Sequence, residues 1–446
     1  MPKCINDPKK RYKGDEPSPK GLGYSASAEE VGKIMIGLDN NNWIVVTNKN
    51  MVKRWKKTNI LIEDETTKIL VSVDAYEQLR AFKITDHIIH QYNKGHPAYF
   101  ITYSNLDDGE DDTIEISEIL KKLMLKIDYK RLEHPNSSGK VWDLIHPSHY
   151  PYISGITKDG NDVNLIDKYE NDLKYRREHF YLSRHQMKKS NFKWIPTIYH
   201  VKKTSYTDYE IEQKSYINDL FIEDKSLKLD IEKIIGKVFV YSFSLFCNLA
   251  ENMDLPYDYL LNKDLQVIVK SSYYELKPGE THEGVWHVEG MPDEHIIMAS
   301  IYYYQDDFNN AKLEFRRDVS DKEEDERIML LPQNTNVDYN DSLLQEHLGV
   351  VNTIENTIYA WPNSCQHRLL PLINESSFET KKRSFIAFFL IDPDIKCIDT
   401  SMVKPQNQYI SDLEAVENMT KLMEERHKVK IELNHELEEE ISYCEH

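Results

Sequence analysis

Trp286-His287-Val288-Glu289-Gly290 is followed far downstream by Gln366-His367-Arg368. Two imidazoles and one carboxylate in the order H-x-E…H are the donor types of a facial triad for Fe(II). Such a triad fills one face of an octahedron and leaves three positions open for a bidentate ligand and dioxygen. The triplet alone is weak evidence. With 17 histidines and 75 acidic residues in 446 positions, about three H-x-(D/E) triplets arise by chance, and His287-Val288-Glu289 is the one present. Its weight comes from setting. On a strand, residues i and i+2 share a face, so His287 and Glu289 would converge on one ion, and His367 would arrive from another strand.

The elements that must position these residues change character along the chain. Through about residue 190, apolar residues fall at helical spacing over Ser27–Leu38, Val71–Phe82, Thr85–Tyr92 and Ile114–Ile127. The acidic loop Asn105–Thr113 lacks calcium-ligand spacing, and Asp112 with Glu115 predicts a capping box. Trp194–Val201 reads as a strand and Ser226–Met253 as a long helix. Strand-like runs follow at 265–276, 285–289, 295–304, 312–316, 327–331, 353–361, 364–370 and 382–391, punctuated by Pro278-Gly279, Asn309-Asn310, Pro332 and Pro362-Asn363. Such a series predicts a two-sheet barrel or sandwich of jelly-roll type. Ser411 with Glu414 predicts a second capping box, opening a helix whose apolar stripe includes Leu413, Val416, Met419, Leu422, Met423, Val429, Leu433, Leu437 and Ile441. The expected fold is α+β: a mainly helical region over 1–190, a β core over 191–404, and a C-terminal amphipathic helix over 405–446 packing on the body.

Sixteen residues past His367 stands Arg383. Arg383, Phe385, Ala387, Phe389 and Ile391 share one strand face; Ser384, Ile386, Phe388 and Leu390 make the other face nearly as apolar. The strand is therefore expected to be buried on both sides. A guanidinium ending an apolar row is costly unless it meets an anion, and a bidentate carboxylate partner is worth roughly 1.5–3 kcal/mol. A bound carboxylate ligand and a structural ion pair with an acidic residue of the chain are equally open readings.

The bulk numbers set the class. A net charge of −19 disfavours non-specific binding to nucleic acid or anionic membranes. The apolar stretch Val238–Ala250 is short for a bilayer span, and no signal-peptide pattern opens the chain. Five scattered cysteines fit a reducing compartment. The expectation is an intracellular, cytoplasmic protein without membrane or nucleic-acid partners. Lys9-Lys10-Arg11-Tyr12-Lys13 is readable as a nuclear-import patch or, more plainly, as a solvated tail.

The segment from His287-Val-Glu through Ile301-Tyr-Tyr-Tyr304, Asp306-Asp-Phe-Asn-Asn-Ala-Lys-Leu-Glu-Phe315, Trp361-Pro-Asn363, His367-Arg368, Pro371 and Arg383 resembles the core of the 2-oxoglutarate and Fe(II)-dependent oxygenase superfamily. Trp286-His-Val-Glu-Gly-Met291, Glu294-His-Ile296, Gln366-His-Arg368, Phe389-Leu-Ile-Asp-Pro393, Asp143-Leu-Ile-His-Pro-Ser-His-Tyr-Pro151 and Cys444-Glu-His446 are similar to a largely fungal family of unknown function. The resemblance covers most of the chain. It implies a double-stranded β-helix (jelly-roll, cupin-like) core, with iron ligands at His287, Glu289 and His367 and a co-substrate arginine at Arg383. Two departures stand out: many members carry Asp at the Glu289 position, and many carry Ser or Thr where Phe385 stands.

Other residues near the site have two readings each. Ser300, Tyr302 and Tyr304 share a strand face, so Tyr302 or Tyr304 is a candidate for binding the co-substrate carboxylate or a core tyrosine with a satisfied hydroxyl. Cys365 shares a face with His367 and reads more readily as buried and inert. His282 and His295 suit surface or supporting roles. Trp286 and Trp361 are expected to pack the barrel walls. The resulting expectation is an Fe(II)- and 2-oxoglutarate-dependent oxygenase acting on an unidentified small-molecule or peptide substrate. Its rivals are a cupin-like enzyme using another divalent metal, with Cys365 drawn in, and a non-enzymatic scaffold with a vestigial site.

Overall fold

Strands that are apolar on both faces need a cover on each side, and the architecture supplies two. The computed structural model describes residues 2–57, 71–74, 102–105, 111–166, 190–318 and 345–437, less 30, 32, 40, 48–51, 204–207, 254, 257 and 309. The chain divides into two units, Met1–Thr66 and Thr67–His446. The first carries an antiparallel sheet of Ile34–Ile36, Asn42–Thr47 and Lys53–Lys57. The helix expected over Ser27–Leu38 is thus corrected to a 3-10 turn at Ala26–Ala28 and a strand. Pairing of Met35 with Trp43 and of Ile34 with Ile44 overrides the helical spacing, because the β-branched run Ile44-Val-Val-Thr47 offers a ladder edge.

The second unit is a mixed α/β structure whose described strands pair antiparallel. Its principal elements are α1 (Asp111–Ile127), β1 (Val141–Ile145), β2 (Thr197–Lys203), β3 (Asp208–Gln213), α2 (Lys225–Asn252), β4 (Lys263–Leu276), β5 (Ile296–Asp306), β6 (Lys312–Asp318), β7 (Gln345–Asn352), β8 (Thr357–Pro362), β9 (Gln366–Leu369), β10 (Lys381–Ile391) and α3 (Asp412–Leu437). The larger sheet runs β3-β2-β4-β10-β5-β8, extended by Val71–Asp74 beyond β3 and Thr102–Asn105 beyond β8; β1 pairs with β4. The smaller sheet is β7-β6-β9. Val71–Asp74 was expected in a helix and pairs instead with β3. The expectations for Thr85–Tyr92 and Arg327–Leu331 lie outside the described residues, as do the side chains of the Asp112–Glu115 capping box and of the tail beyond residue 428.

Alternation along β10 divides the interior. Ile386, Phe388 and Leu390 join Phe239, Phe243 and Val238 of α2 in one core; Phe385, Ala387, Phe389 and Ile391 join Phe315, Trp361 and Leu369 in a second core between the sheets. Each buried Phe contributes roughly 1.5–3 kcal/mol. Helix α2 starts where the Asp224 carboxylate accepts the N–H groups of Ser226 and Leu227. By length and composition α2 could cross a membrane, which the short apolar run read from the sequence did not anticipate; 72% of that window is buried inside the protein. Helix α3 opens with the Ser411–Glu414 capping box. It meets the body through Arg426, which donates to both Glu294 oxygens at 2.8 Å and lies over the Trp194 ring.

Candidate metal centre

His287 and Glu289 do not sit on a regular strand, as the alternation argument assumed. His287 forms a single bridge to His367: each N–H donates to the other's carbonyl at 3.0 Å. That bridge fastens the His287 segment to the free side of β9 and places the two rings 4.1 Å apart between centroids. Gly290 then turns the chain at φ +67°, where a Cβ would meet Glu294 Oε2 at 2.6 Å and Ile296 Cδ1 at 2.7 Å; glycine is required there. Asn363, taken from the sequence only as part of a turn, locks the other side of this corner. Its Oδ1 accepts from the Glu289 N–H at 2.8 Å, and its Nδ2 donates to the Glu289 and Ile296 carbonyls.

The donors converge. Glu289 Oε1 lies 3.4 Å from His367 Nε2 and 3.7 Å from His287 Nε2. Both separations exceed a good hydrogen bond, yet two donors each ~2.1 Å from a common ion are at most ~4.2 Å apart. His287 Nδ1 donates to the Val285 carbonyl at 2.8 Å, which fixes the tautomer and turns the Nε2 lone pair toward Glu289. Burial pushes the Glu289 carboxyl up, but the two imidazoles hold it well below the usual carboxylate range. Burial, with the neighbouring His287, pushes His367 down to about 4. A divalent ion would require the carboxylate ionised and both Nε2 lone pairs free of protons.

The three donors line a small cavity of ≈ 30 Å³ together with Lys270 and Tyr274 of β4, Tyr303 of β5, Trp361 of β8 and Phe385 and Phe389 of β10. Lys270 and Tyr303 carried no signal of their own in the sequence. Of the two readings of the Tyr302 and Tyr304 face, the core one fits their place, and the co-substrate role is corrected. Tyr302 and Tyr304 belong to the core under α2, with the Tyr302 hydroxyl donating to Asn356 Oδ1 at 2.9 Å, while Tyr303 faces the cavity. Arg383 is fully buried and engaged within the protein. Its Nε lies 3.1 Å from Asp306 Oδ2, its Nη2 donates to Thr353 Oγ1, and its guanidinium stacks 3.8 Å from the Tyr303 centroid. The ion pair with Asp306 is present, yet Arg383 Nε and Nη1 and Asp306 Oδ2 are buried without a hydrogen-bond partner, so the pair does not use up the guanidinium. Burial, opposed by Arg383, pushes the Asp306 carboxyl up to about 6.

Cys365 is not among the converging donors, and burial pushes its thiol up to about 12. Trp361 lines the cavity as expected. Trp286 does not pack a wall; it is half-buried between the guanidinium groups of Arg316 and Arg368, 4.3 and 4.6 Å from its ring. His282 stands against the Tyr274 ring and is pushed down to about 4 by burial, while His295 caps a 3-10 turn at φ +56°.

A second buried group among the described residues, His134, Asp143 and His146, also has the donor types of a metal site. It belongs to the Asp143–Pro151 motif. Four of its polar atoms bond within the protein. His134 Nδ1 donates to Asp143 Oδ2 at 2.8 Å, Ser272 Oγ donates to Asp143 Oδ1 at 2.7 Å, and the Ser148 N–H donates to His146 Nδ1 at 3.2 Å.

A family model described as "Protein of unknown function (DUF4246)" matches residues 78–246 and 244–413. No curated protein matches the sequence. Similar solved structures include IDO from Bacillus thuringiensis, at 12% identity over 44% of this chain and 72% of that one with a TM-score of 0.25. AviO1 from Streptomyces viridochromogenes Tue57 is 10% identical over 67% and 92% of the two chains, with a TM-score of 0.27. An oxidoreductase of the 2OG-Fe(II) oxygenase family from Burkholderia pseudomallei is 6% identical over 47% and 77%, with a TM-score of 0.22. Likenesses this slight carry no argument about activity.

Proposed function

We propose, for a chain that belongs to the DUF4246 family of proteins of unknown function, an Fe(II)- and 2-oxoglutarate-dependent oxygenase activity on a double-stranded β-helix. One observation carries this reading: two imidazoles and one carboxylate converge in an aromatic cavity, with the His287 tautomer set by Val285. The antiparallel sheets β4-β10-β5-β8 and β7-β6-β9, with a core between them, support the fold assignment.

His287, Glu289 and His367 would hold the metal through Nε2, a carboxylate oxygen and Nε2. Bound Fe(II) supplies the dioxygen chemistry that no side chain here can. The protein's own part is to hold that geometry and shape a dry chamber. Asn363 and Gly290 fix the Glu289 corner, Val285 orients His287, and Trp361, Phe385 and Phe389 exclude water. In the overall reaction 2-oxoglutarate, dioxygen and a C–H substrate give succinate, carbon dioxide and a hydroxylated product. One oxygen atom ends in succinate and the other in the product.

Anaerobic addition of Fe(II) and 2-oxoglutarate to the apoprotein tests this. A visible metal-to-ligand charge-transfer band, absent in His287→Ala, and succinate formed on admitting oxygen are expected. A wild-type protein giving neither band nor succinate would overturn the reading.

A further inference from the structure

We infer that Arg426 of α3 is a positioning residue for the metal centre, acting through the buried carboxylate of Glu294; the assignment rests on the metal-centre reading above. Glu294 follows the Gly290 turn that the donor Glu289 precedes. Its Oε2 accepts from the Met291 N–H at 2.5 Å, and its Oε1 accepts from the Trp194 N–H at 2.6 Å. Arg426 Nη2 donates to both oxygens at 2.8 Å, and the two side chains are 2% and 1% exposed. Asn363 takes the N–H and carbonyl of Glu289, and Glu294 takes the N–H two residues on, so the corner is held at both ends.

A second route runs through Trp194. The Arg426 guanidinium lies 4.1 Å from the Trp194 centroid, and Trp194 stacks on Phe389 with centroids 5.7 Å apart. Phe389 lines the cavity with the three donors. One cation on the C-terminal helix is thus tied both to the turn after Glu289 and to a wall of the site. Burial pushes the Glu294 carboxyl above its ordinary value, and Arg426 is the largest opposing influence. Without the guanidinium, the carboxylate becomes a buried charge that has lost its counter-ion. Turning toward water or taking a proton would relieve it, and either move weakens its hold on a backbone N–H. The Glu289 corner would then keep Asn363 as its anchor and lose the other. Glu425, next to Arg426, supplies a control: it accepts from the Asn191 N–H and side-chain amide at 2.9 and 2.6 Å in an exposed setting.

The test is anaerobic chelator competition for Fe(II) on the full chain, with the visible ligand-field spectrum of the Co(II)-substituted protein as a second readout, both well below the melting temperature of each variant. Arg426→Gln should weaken metal affinity about ten- to hundredfold, as loss of an outer partner does, and should alter the Co(II) spectrum. Arg426→Lys keeps the charge but not the paired geometry, and should show a smaller loss. Glu425→Ala should match the wild type in both readouts. Wild-type affinity and spectrum in Arg426→Gln would overturn the assignment alone; should that variant not fold, wild-type values in Arg426→Lys would do so. An equal loss in Glu425→Ala would also overturn it, because helix docking and not Arg426 would then set the site. A wild-type protein that binds neither metal would overturn the metal-centre reading and this assignment together.

Discussion

Two buried histidine–carboxylate groups lie in the same unit and differ in what their donor atoms already do. In His287–Glu289–His367 the backbone takes the outer nitrogen of His287, and the lone pairs that remain face one another at 3.4 and 3.7 Å. In His134–Asp143–His146 the protein supplies more partners: both oxygens of Asp143 accept hydrogen bonds, and His146 Nδ1 accepts from a backbone N–H. Electrostatics also separates them. Asp143 is pushed up by burial but held well below the usual range by His134 and His146; burial keeps His146 well below its ordinary value, with the Asp143 carboxylate opposing. The second group is a hydrogen-bonded wall that joins β1 to Ser272 on β4, two residues from the cavity lysine. Donor type alone does not make a metal site. The outer partners decide which lone pairs remain available.

The contrast can be broken most decisively at the first group. His367→Ala should abolish stoichiometric iron binding, read by metal analysis of the purified protein, and lower turnover at least a hundredfold; a variant that keeps a full equivalent of iron would place the metal elsewhere. Next, Asp143→Ala should destabilise by about 2–4 kcal/mol, because the buried His134 N–H and Ser272 hydroxyl lose their carboxylate acceptor, while metal content in the surviving folded protein stays at the wild-type level. Loss of iron in this variant with His287 intact would erase the distinction between the groups.

Smaller effects sharpen it. Asn363→Ala should weaken metal affinity about ten- to hundredfold, as removal of an outer partner does, read by competition with a chelator. Ser272→Ala removes one hydrogen bond to Asp143 and should cost about 1 kcal/mol in denaturant melts without altering iron affinity. If Ser272→Ala instead weakened iron as much as Asn363→Ala, the two groups would be one coupled site.

Legibility in the sequence followed burial on one face or two. Helix α2 and the capping box at Ser411 were readable because a helical period and a local side-chain–backbone bond are encoded within a few residues. The two faces of β5 are both buried, so alternation there said that Tyr302 and Tyr304 share a side without saying which side meets the cavity. Val285–Glu289 read as a strand because its residue types suit one, yet a single bridge and the Gly290 turn shape it. Asn363 read as a turn residue because its value lies in bonds to Glu289 and Ile296, at positions distant in the chain.

By itself the sequence determined the donor set. His287, Glu289 and His367 are distinguished by type and order, and metal chemistry depends first on which atoms are available. Only the tertiary structure decided which lone pairs stay open, that Arg383 pairs with Asp306, and that Lys270 lines the same cavity as the three donors. The physical reason is that a buried charge is defined by its partners in space. For Arg383 the nearest carboxylate lies on the neighbouring strand, 77 residues earlier in the chain (383 − 306), paired across the ladder in a register that no local pattern specifies.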